Sequence, residues 1–441
     1  MKKILILLTI PPILVIGGIV MMALIAGRDI PPPDTTDLKL ERTELLPEQN
    51  AYNYFVSATN SLYWPTNTSF ITDYLDEKPV GEDVIQEILS RNTNMMGIIG
   101  EGLECQRCLT PEITGFDTPL PYISSWMKMG KVMALKARHE RLAGEHPEAT
   151  RTCISLLRFG NIIQNDAEGI INYLVGISVL QLGLTQAQDL AHDQDIPLED
   201  LKRLSEALAT LGPFDRGPIR AIKGEYKMDA NTIDRFRAGT FDWAALGAGE
   251  TCSSLKGKRY SNYVFQPNKT KLTFANYYRD MIKNAPRPYA HMNRYDVEEV
   301  LGLKGSKAKR ILCPNAIGGI LLGALLPGLT DLLERKCRTE CSVVATRLLA
   351  ACNAYLREEG KLPKDLQALV PKYLSAIPND PYDGQAFRYS PARGIVYSVG
   401  KDLKDSGGSS KVPAGDKEDT PSKRRWKAED VVFEIRGKIK R

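Results

Sequence analysis

The chain has 441 residues, 43% hydrophobic and 25% charged, an ordinary globular composition with room for two or three cored domains. Four His leave little material for sites built on imidazole, and a net charge of +5 gives no general nucleic-acid affinity, so no nucleic-acid partner is expected. Eight Cys in a chain of this length do not make a disulfide scaffold.

The first element is an uncharged run from Ile4 to Gly27. As a helix its 24 residues reach roughly 36 Å, enough for a hydrocarbon core of about 30 Å. Lys2 and Lys3 precede it and favour an inside amino terminus, with the remainder outside. Pro11, Pro12, Gly17 and Gly18 are tolerated in a membrane helix. A cleaved signal peptide is the rival reading, and both readings export the chain. The expectation is a single-pass signal anchor (1–27) in the inner (cytoplasmic) membrane, with the bulk of the chain extracytoplasmic. The segment 28–44, "RDIPPPDTTD" onward, reads as a stiff Pro-rich spacer.

From about Leu45 to Ile311 the pattern is helical. "LPEQNAYNYFVSATNSLY" predicts a first helix, ended by Pro65. Cys105 and Cys108 form a C-x-x-C whose flanks lack the strand of a thioredoxin motif and whose sequence lacks a second pair for zinc. A local disulfide or two unremarkable thiols both fit. "PYISSWMKMGKVMALKARHERLAGEH" places Ile123, Met127, Gly130, Met133, Ala134 and Ala137 on one helical face. "PEATRTCISLLRFGNIIQND" opens with Pro147, suited to a first helical turn. "AEGIINYLVGISVLQLGLTQAQDLAHD" is apolar around most of its circumference and predicts a central buried helix. "PLEDLKRLSEALATLG" is a short amphipathic helix. Consecutive helices on short loops predict antiparallel helical hairpins. Thr240–Lys271 reads as a long loop, and "KLTFANYYRDMIKNAPRPY" returns to helix.

The uncharged stretch Ile311–Thr330 is interrupted by Pro314 and Pro327, and predicts a buried or interfacial helix rather than a second span. A long helix follows and ends near Gly360. Asp380-Pro381 and Asp383-Gly384 are turn formers between extended runs. Phe387, Tyr389, Val396 and Ser398 alternate like half-buried strands, with Leu366, Leu369, Val370 and Leu374 available to cover them. Residues Lys401–Arg441 hold 12 Lys and Arg against 8 Asp and Glu, so most of the excess positive charge sits there, including Lys423, Arg424, Arg425, Lys427, Lys438, Lys440 and Arg441.

In order, "AYLREEGKLP", "KDLQALVPKYL", "IPNDPYDGQAFRYS", "GIVYSVG", "KDLKDSGG" and "EDVVFEIR" resemble the C-terminal domain of the major pseudopilin of type II secretion systems. The resemblance runs from about Glu340 to the end. It implies a helix on a small antiparallel sheet, and a loop that binds calcium through Asp402 and Asp405, with Asp430 as a third carboxylate. Calcium takes six to eight oxygens, so carbonyls and water would complete the set. Read alone, the same loop is a solvated turn of Asp, Ser and Gly. The N-terminal run lacks the Glu that pilin-like proteins carry, so the domain is expected to be borrowed without pilus polymerisation.

The fold class expected is mainly α: a membrane helix, an antiparallel helical-hairpin domain (45–311), and a C-terminal part (312–441) in which a long helix joins a small α+β module. No nucleophile elbow, zinc-protease helix, phosphate loop or dinucleotide fingerprint occurs. His139 and His146 flank a helix junction and are expected to be ordinary surface groups. The function expected is a non-enzymatic, membrane-anchored envelope protein that makes protein–protein contacts near secretion or surface assembly. The alternative is an extracytoplasmic, hydrolase-like enzyme with a carboxylate site in the helical domain.

Overall fold

A computed structural model describes residues 27–240, 262–293, 314–326, 331–412 and 424–435. The expected membrane helix lies outside the described residues except for Gly27, as do most of the expected loop after Thr240 and Lys423, Lys438, Lys440 and Arg441 of the basic tail. Among the described residues the protein is mainly helical, with one small antiparallel sheet.

The helices are α1 (Ala51–Asn60), α2 (Ser69–Leu75), α3 (Glu82–Arg91), α4 (Thr93–Gly102), α5 (Tyr122–Leu142), α6 (His146–Asn165), α7 (Ile170–His192), α8 (Leu198–Ala209), α9 (Arg216–Ala238), α10 (Pro267–Asn284), α11 (Ala316–Leu325) and α12 (Leu332–Glu359). The helix α10 begins at Pro267, inside the stretch read as loop, because Pro267 supplies a pre-set first turn.

The hub is α7. Val175 and Val179 enter a core with α1 to α6, Tyr173 and Ile177 enter one with α9 to α11, and Leu180, Leu184 and Leu190 enter one with α8, α12 and the sheet. A helix that serves three cores needs apolar side chains all round, which is the pattern in its sequence. By length and composition α7 is able to cross a membrane, but here most of it is buried inside the protein. It crosses α6 at backbone distance. A Cβ on Gly160 would come within 2.3 Å of the Leu180 nitrogen, and one on Gly176 within 2.5 Å of the Gln164 nitrogen. Both positions therefore require glycine.

The predicted inward face of α5 is present in Gly130, Met133, Ala134 and Ala137, which are buried. Trp126 and Met129 are buried too, whereas Ile123 and Met127 are only half-buried. Rings gather around Trp126, with Phe55 edge-on at 6.0 Å and Tyr122 tilted at 4.5 Å.

The segment 28–44 is docked along the body and is not a free spacer. Leu38 is buried in the α9–α10 core, Arg279 of α10 donates to the Asp37 carboxylate at 2.7 and 2.8 Å, and Arg42 pairs with Glu168.

The sheet holds β1 (Arg388–Ser390), β2 (Ile395–Ser398) and β3 (Val431–Glu434) in the order β1-β2-β3, with Tyr389 opposite Val396 and Val396 opposite Phe433. Val396, Phe433, Leu366, Leu369 and Leu374 share one core with α12, but β2 is buried along its whole length rather than on one face as the alternation predicts. Gly360 ends α12 in the left-handed conformation (φ 72°), where glycine carries no Cβ penalty. The core is continuous from α6–α8 through α12 into the sheet, so the C-terminal module is built onto the helical body.

Candidate functional site

The most elaborate polar assembly lies at the α6–α7 junction. Asp166 follows the last turn of α6, and Gly169 (φ 84°) lets the chain reverse into α7. The Asp166 side chain is 2% exposed, and burial of a carboxylate there needs compensation. Arg107 Nε donates to both its oxygens at 2.9 Å, Arg216 donates at 2.8 Å, and the Cys108 backbone N–H donates at 2.8 Å. Glu168 pairs with Arg42 and lies 3.8 Å from Arg220. Burial pushes the Glu168 pKa up while Arg42 and Arg220 oppose the rise, and burial lowers that of Arg220. Four arginines from the N-terminal strap, the α4–α5 loop and α9 thus converge on two carboxylates.

Beneath this layer, α9 carries Glu225 and Asp229 one turn apart, both buried. Glu225 Oε1 accepts the Ile170 N–H at 2.7 Å, and burial pushes its pKa up to about 7. Asp229 accepts the Tyr278 hydroxyl, and burial raises it well above the usual carboxylate range. This is a carboxylate pair in the helical domain that sequence reading missed. Its only signal is a Glu and an Asp four apart on the inward face of a helix. Neither residue lines either of two surface clefts that flank the junction.

One cleft, of about 330 Å³, is walled by Cys105, Gln106, Arg158, Asn161, Asn165 and Arg216. Asp166 lines the same cleft and already holds Arg216, and Arg158 donates to the Leu103 carbonyl, so both of the cleft's partly exposed guanidinium groups are partnered within the protein. The second, of about 390 Å³, lies across Cys105 and Gln106 and includes Glu48, Glu101 and Glu104. Cys105 and Cys108 are free thiols, which resolves the C-x-x-C in favour of two thiols. Burial raises both pKa values, with Glu104 adding to the rise at Cys105, so neither is an activated thiolate.

The residues proposed for calcium are placed in and beside the loop between β2 and β3. Asp430 is fully buried and accepts the backbone N–H groups of Ser406, Gly408 and Ser409 at 3.1, 2.8 and 3.0 Å. Asp405 lies 3.6 Å from Arg388, which also holds Asp380 at 3.1 Å and Asp383. Asp402 caps its own turn by accepting the Lys404 N–H at 3.0 Å. Leu403 between them has φ 62°, a conformation that favours a residue without a branched or bulky side chain. Among the described residues no three His, Cys, Asp or Glu side chains are gathered to hold a metal ion.

The histidines are distributed differently from expectation. His139 is near the surface beside Glu82 and Gln86, but His146 is buried, 3.4 Å from Asp193. It opens α6 and faces the end of α7. His192 Nε2 is 2.7 Å from the Glu434 carbonyl and ties α7 to β3. Arg425 of the basic tail lies over the Phe433 ring at 4.7 Å and donates to Gln188, so it belongs to the sheet's packing. Comparison with known proteins finds no matching family model, no matching curated protein and no matching solved structure.

Proposed function

We propose that the protein is a non-enzymatic envelope protein, anchored in the inner membrane by its N-terminal apolar run, whose helical body presents the C-terminal module for protein–protein contacts near secretion or surface assembly. The observation that carries this reading is the continuous core joining α6–α8, α12 and the three strands. A module fused to its support in this way is presented at a set distance and orientation. The docked 28–44 strap extends the same rigidity back to the anchor. In the module α12 packs on β1–β3, and the loop around Lys401–Asp405, with acidic and basic residues, is exposed on it.

Site-specific photocrosslinking in intact cells tests the reading, with the photoreactive residue at Lys401 or Lys404 and, as a control, at exposed Glu199 on α8. A discrete adduct with an envelope protein from the module positions, absent from the control, is the expected result. Uniform absence of adducts from the module would sink the contact role. Alkaline carbonate extraction of the same membranes reports on the anchor separately.

A further inference from the structure

We propose that α11, together with Tyr263 and Val264, forms an interfacial patch that lies on the lipid surface beside the point where the N-terminal anchor leaves the membrane. The inference deepens the anchoring reading above and rests on it for the location of the bilayer.

From Ala316 to Leu326 the sequence is AIGGILLGALL, without one polar or charged side chain. Ile317, Leu321 and Leu322 face inward and are buried in the core with Phe274 and Tyr278 of α10. The opposite face, Ala316, Ile320 and Ala324 at i, i+4 spacing, points away from that core, and Ile320 is 55% exposed. A surface helix normally carries polar residues on that face. Tyr263 and Val264, each 37% exposed, lie against the start of the helix: the Asn315 N–H donates to the Tyr263 carbonyl at 2.7 Å and the Ile317 N–H to that of Val264 at 3.1 Å. Tyr is a residue type enriched at membrane–water boundaries. Ten residues of helix measure about 15 Å, half of a hydrocarbon core of about 30 Å, so the helix can lie in the interface but cannot cross it.

The position of the patch selects its occupant. Asn315 at the head of α11 accepts the Gln266 N–H at 2.7 Å. Two residues further along the same turn of α10, Asp29 accepts the N–H groups of Asn268 and Lys269 at 3.0 Å each, and Asn268 donates to the Ile30 carbonyl at 2.7 Å. Asp29, two residues past the uncharged Ile4–Gly27 run, is therefore held on the first turn of α10, next to Gln266, which Asn315 binds at the head of α11. A chain that leaves the bilayer at Gly27 brings this apolar face to the membrane surface. Arg28 and Lys269, both exposed, sit at the same place and suit phosphate headgroups.

The test uses the full chain in vesicles of phosphatidylethanolamine and phosphatidylglycerol, carrying Ile320→Trp or, as a control, Leu142→Trp at an exposed apolar position far along the chain. Lipids brominated near the headgroup end of the acyl chain quench emission from an interfacial indole. The emission difference from the unsubstituted protein is expected to be quenched at least about twofold more for Ile320→Trp than for Leu142→Trp. Val264→Trp repeats the measurement if Ile320→Trp fails to fold. Equal quenching in protein that resists alkaline extraction overturns the inference and leaves the anchor standing. Preferential quenching in protein that alkali releases would show a lipid-binding face with no anchor beside it, and overturns both the anchor and the inference. Crosslinks between copies through position 320 without lipid quenching would assign the face to a second copy and overturn it as well.

Discussion

Asp29 caps α10 from the other end of the chain: its Oδ1 accepts the backbone N–H of Lys269 at 3.0 Å. The same carboxylate takes the Asn268 N–H, so it does for the second and third residues of α10 what a local N-cap side chain usually does. No side chain within the helix's own lead-in performs that task, since Gln266 makes no capping bond. Asp29→Ala should lower stability by about 1 kcal/mol, the usual loss for a cap. Hydrogen exchange should speed up in the first turn of α10 and along 28–38. Asp29→Asn keeps an acceptor and should recover most of the loss. Exchange rates in the strap that did not change would mean that Asp34, Asp37 and Arg279 hold it without help.

Asp166 is the next position to remove. It takes Arg107, Arg216 and the Cys108 N–H, and these come from the α4–α5 loop and the start of α9. Asp166→Ala leaves two guanidinium groups without their buried partner, for which the expected cost is about 3 kcal/mol, the lower end for a buried pair because both arginines keep some solvent contact. Asp166→Asn retains one carbonyl acceptor and should fall between. Urea denaturation midpoints of the three proteins check the order. A cost below about 1 kcal/mol for the alanine variant would show that water replaces the carboxylate, as at an exposed pair.

Glu225 gives stability a pH dependence of definite sign. Its folded pKa, about 7, lies above its ordinary value of 4.5, because burial disfavours the charged form. Between those values the folded state keeps a proton that the unfolded state has released. Stability is therefore undiminished below about pH 4.5 and declines as pH rises towards 7, by on the order of 3 kcal/mol in total from this group. Asp229, raised in the same direction, adds to the decline. Glu225→Gln keeps an oxygen for the Ile170 N–H and cannot ionise. It should match the parent at pH 5 and exceed it at pH 8, as measured by denaturation at the two values. Parallel pH profiles for the two proteins would show that Glu225 titrates normally.

What the sequence makes legible follows from how local the cause is. The all-round apolarity of α7 and the stop at Gly360 are properties of consecutive residues, and both appear where expected. The extended runs at Phe387–Tyr389 and Val396–Ser398 overlap β1 and β2, but their expected half-burial does not appear, because β2 is covered on both faces. Helices α2, α3 and α4 are harder to read: α4 is "TNMMGIIGEG", with three glycines, and its helicity depends on Met95 and Ile99 reaching a core shared with α1. The candidate site is harder still. Asp166 finds Arg107 and Arg216 at sequence separations of 59 and 50, and no periodicity encodes such pairs. Glu225 and Asp229 have the charge of a solvated helix face, and only the arrival of α7 and α10 above them reveals their burial. The Pro-rich composition of 28–44 predicts an extended strap but not its docking, which depends on Arg279, 242 residues beyond Asp37.

The C-terminal loop offers a direct contest between two ways of holding it. Calcium would draw Asp402, Asp405 and Asp430 around one ion, whereas here the Asp430 carboxylate gathers the amides of Ser406, Gly408 and Ser409, and Arg388 supplies the positive charge beside Asp405. A hydrogen-bonded loop of this kind already satisfies the buried carboxylate. A cation entering would have to displace three backbone donors from it. Asp430→Ala should cost roughly 1–2 kcal/mol, because it leaves the buried Gly408 N–H without its acceptor while those of Ser406 and Ser409 can reach water. Arg388→Ala should cost about as much, since the fully buried Asp380 carboxylate loses its cation and keeps only the donors of Tyr382, Ser398 and Val399. Thermal melts of the parent protein with millimolar calcium and with excess chelator should coincide. A melting temperature several degrees higher in calcium, lost in Asp402→Asn and Asp405→Asn, would instead establish the three-carboxylate site and make the amide cradle its empty form.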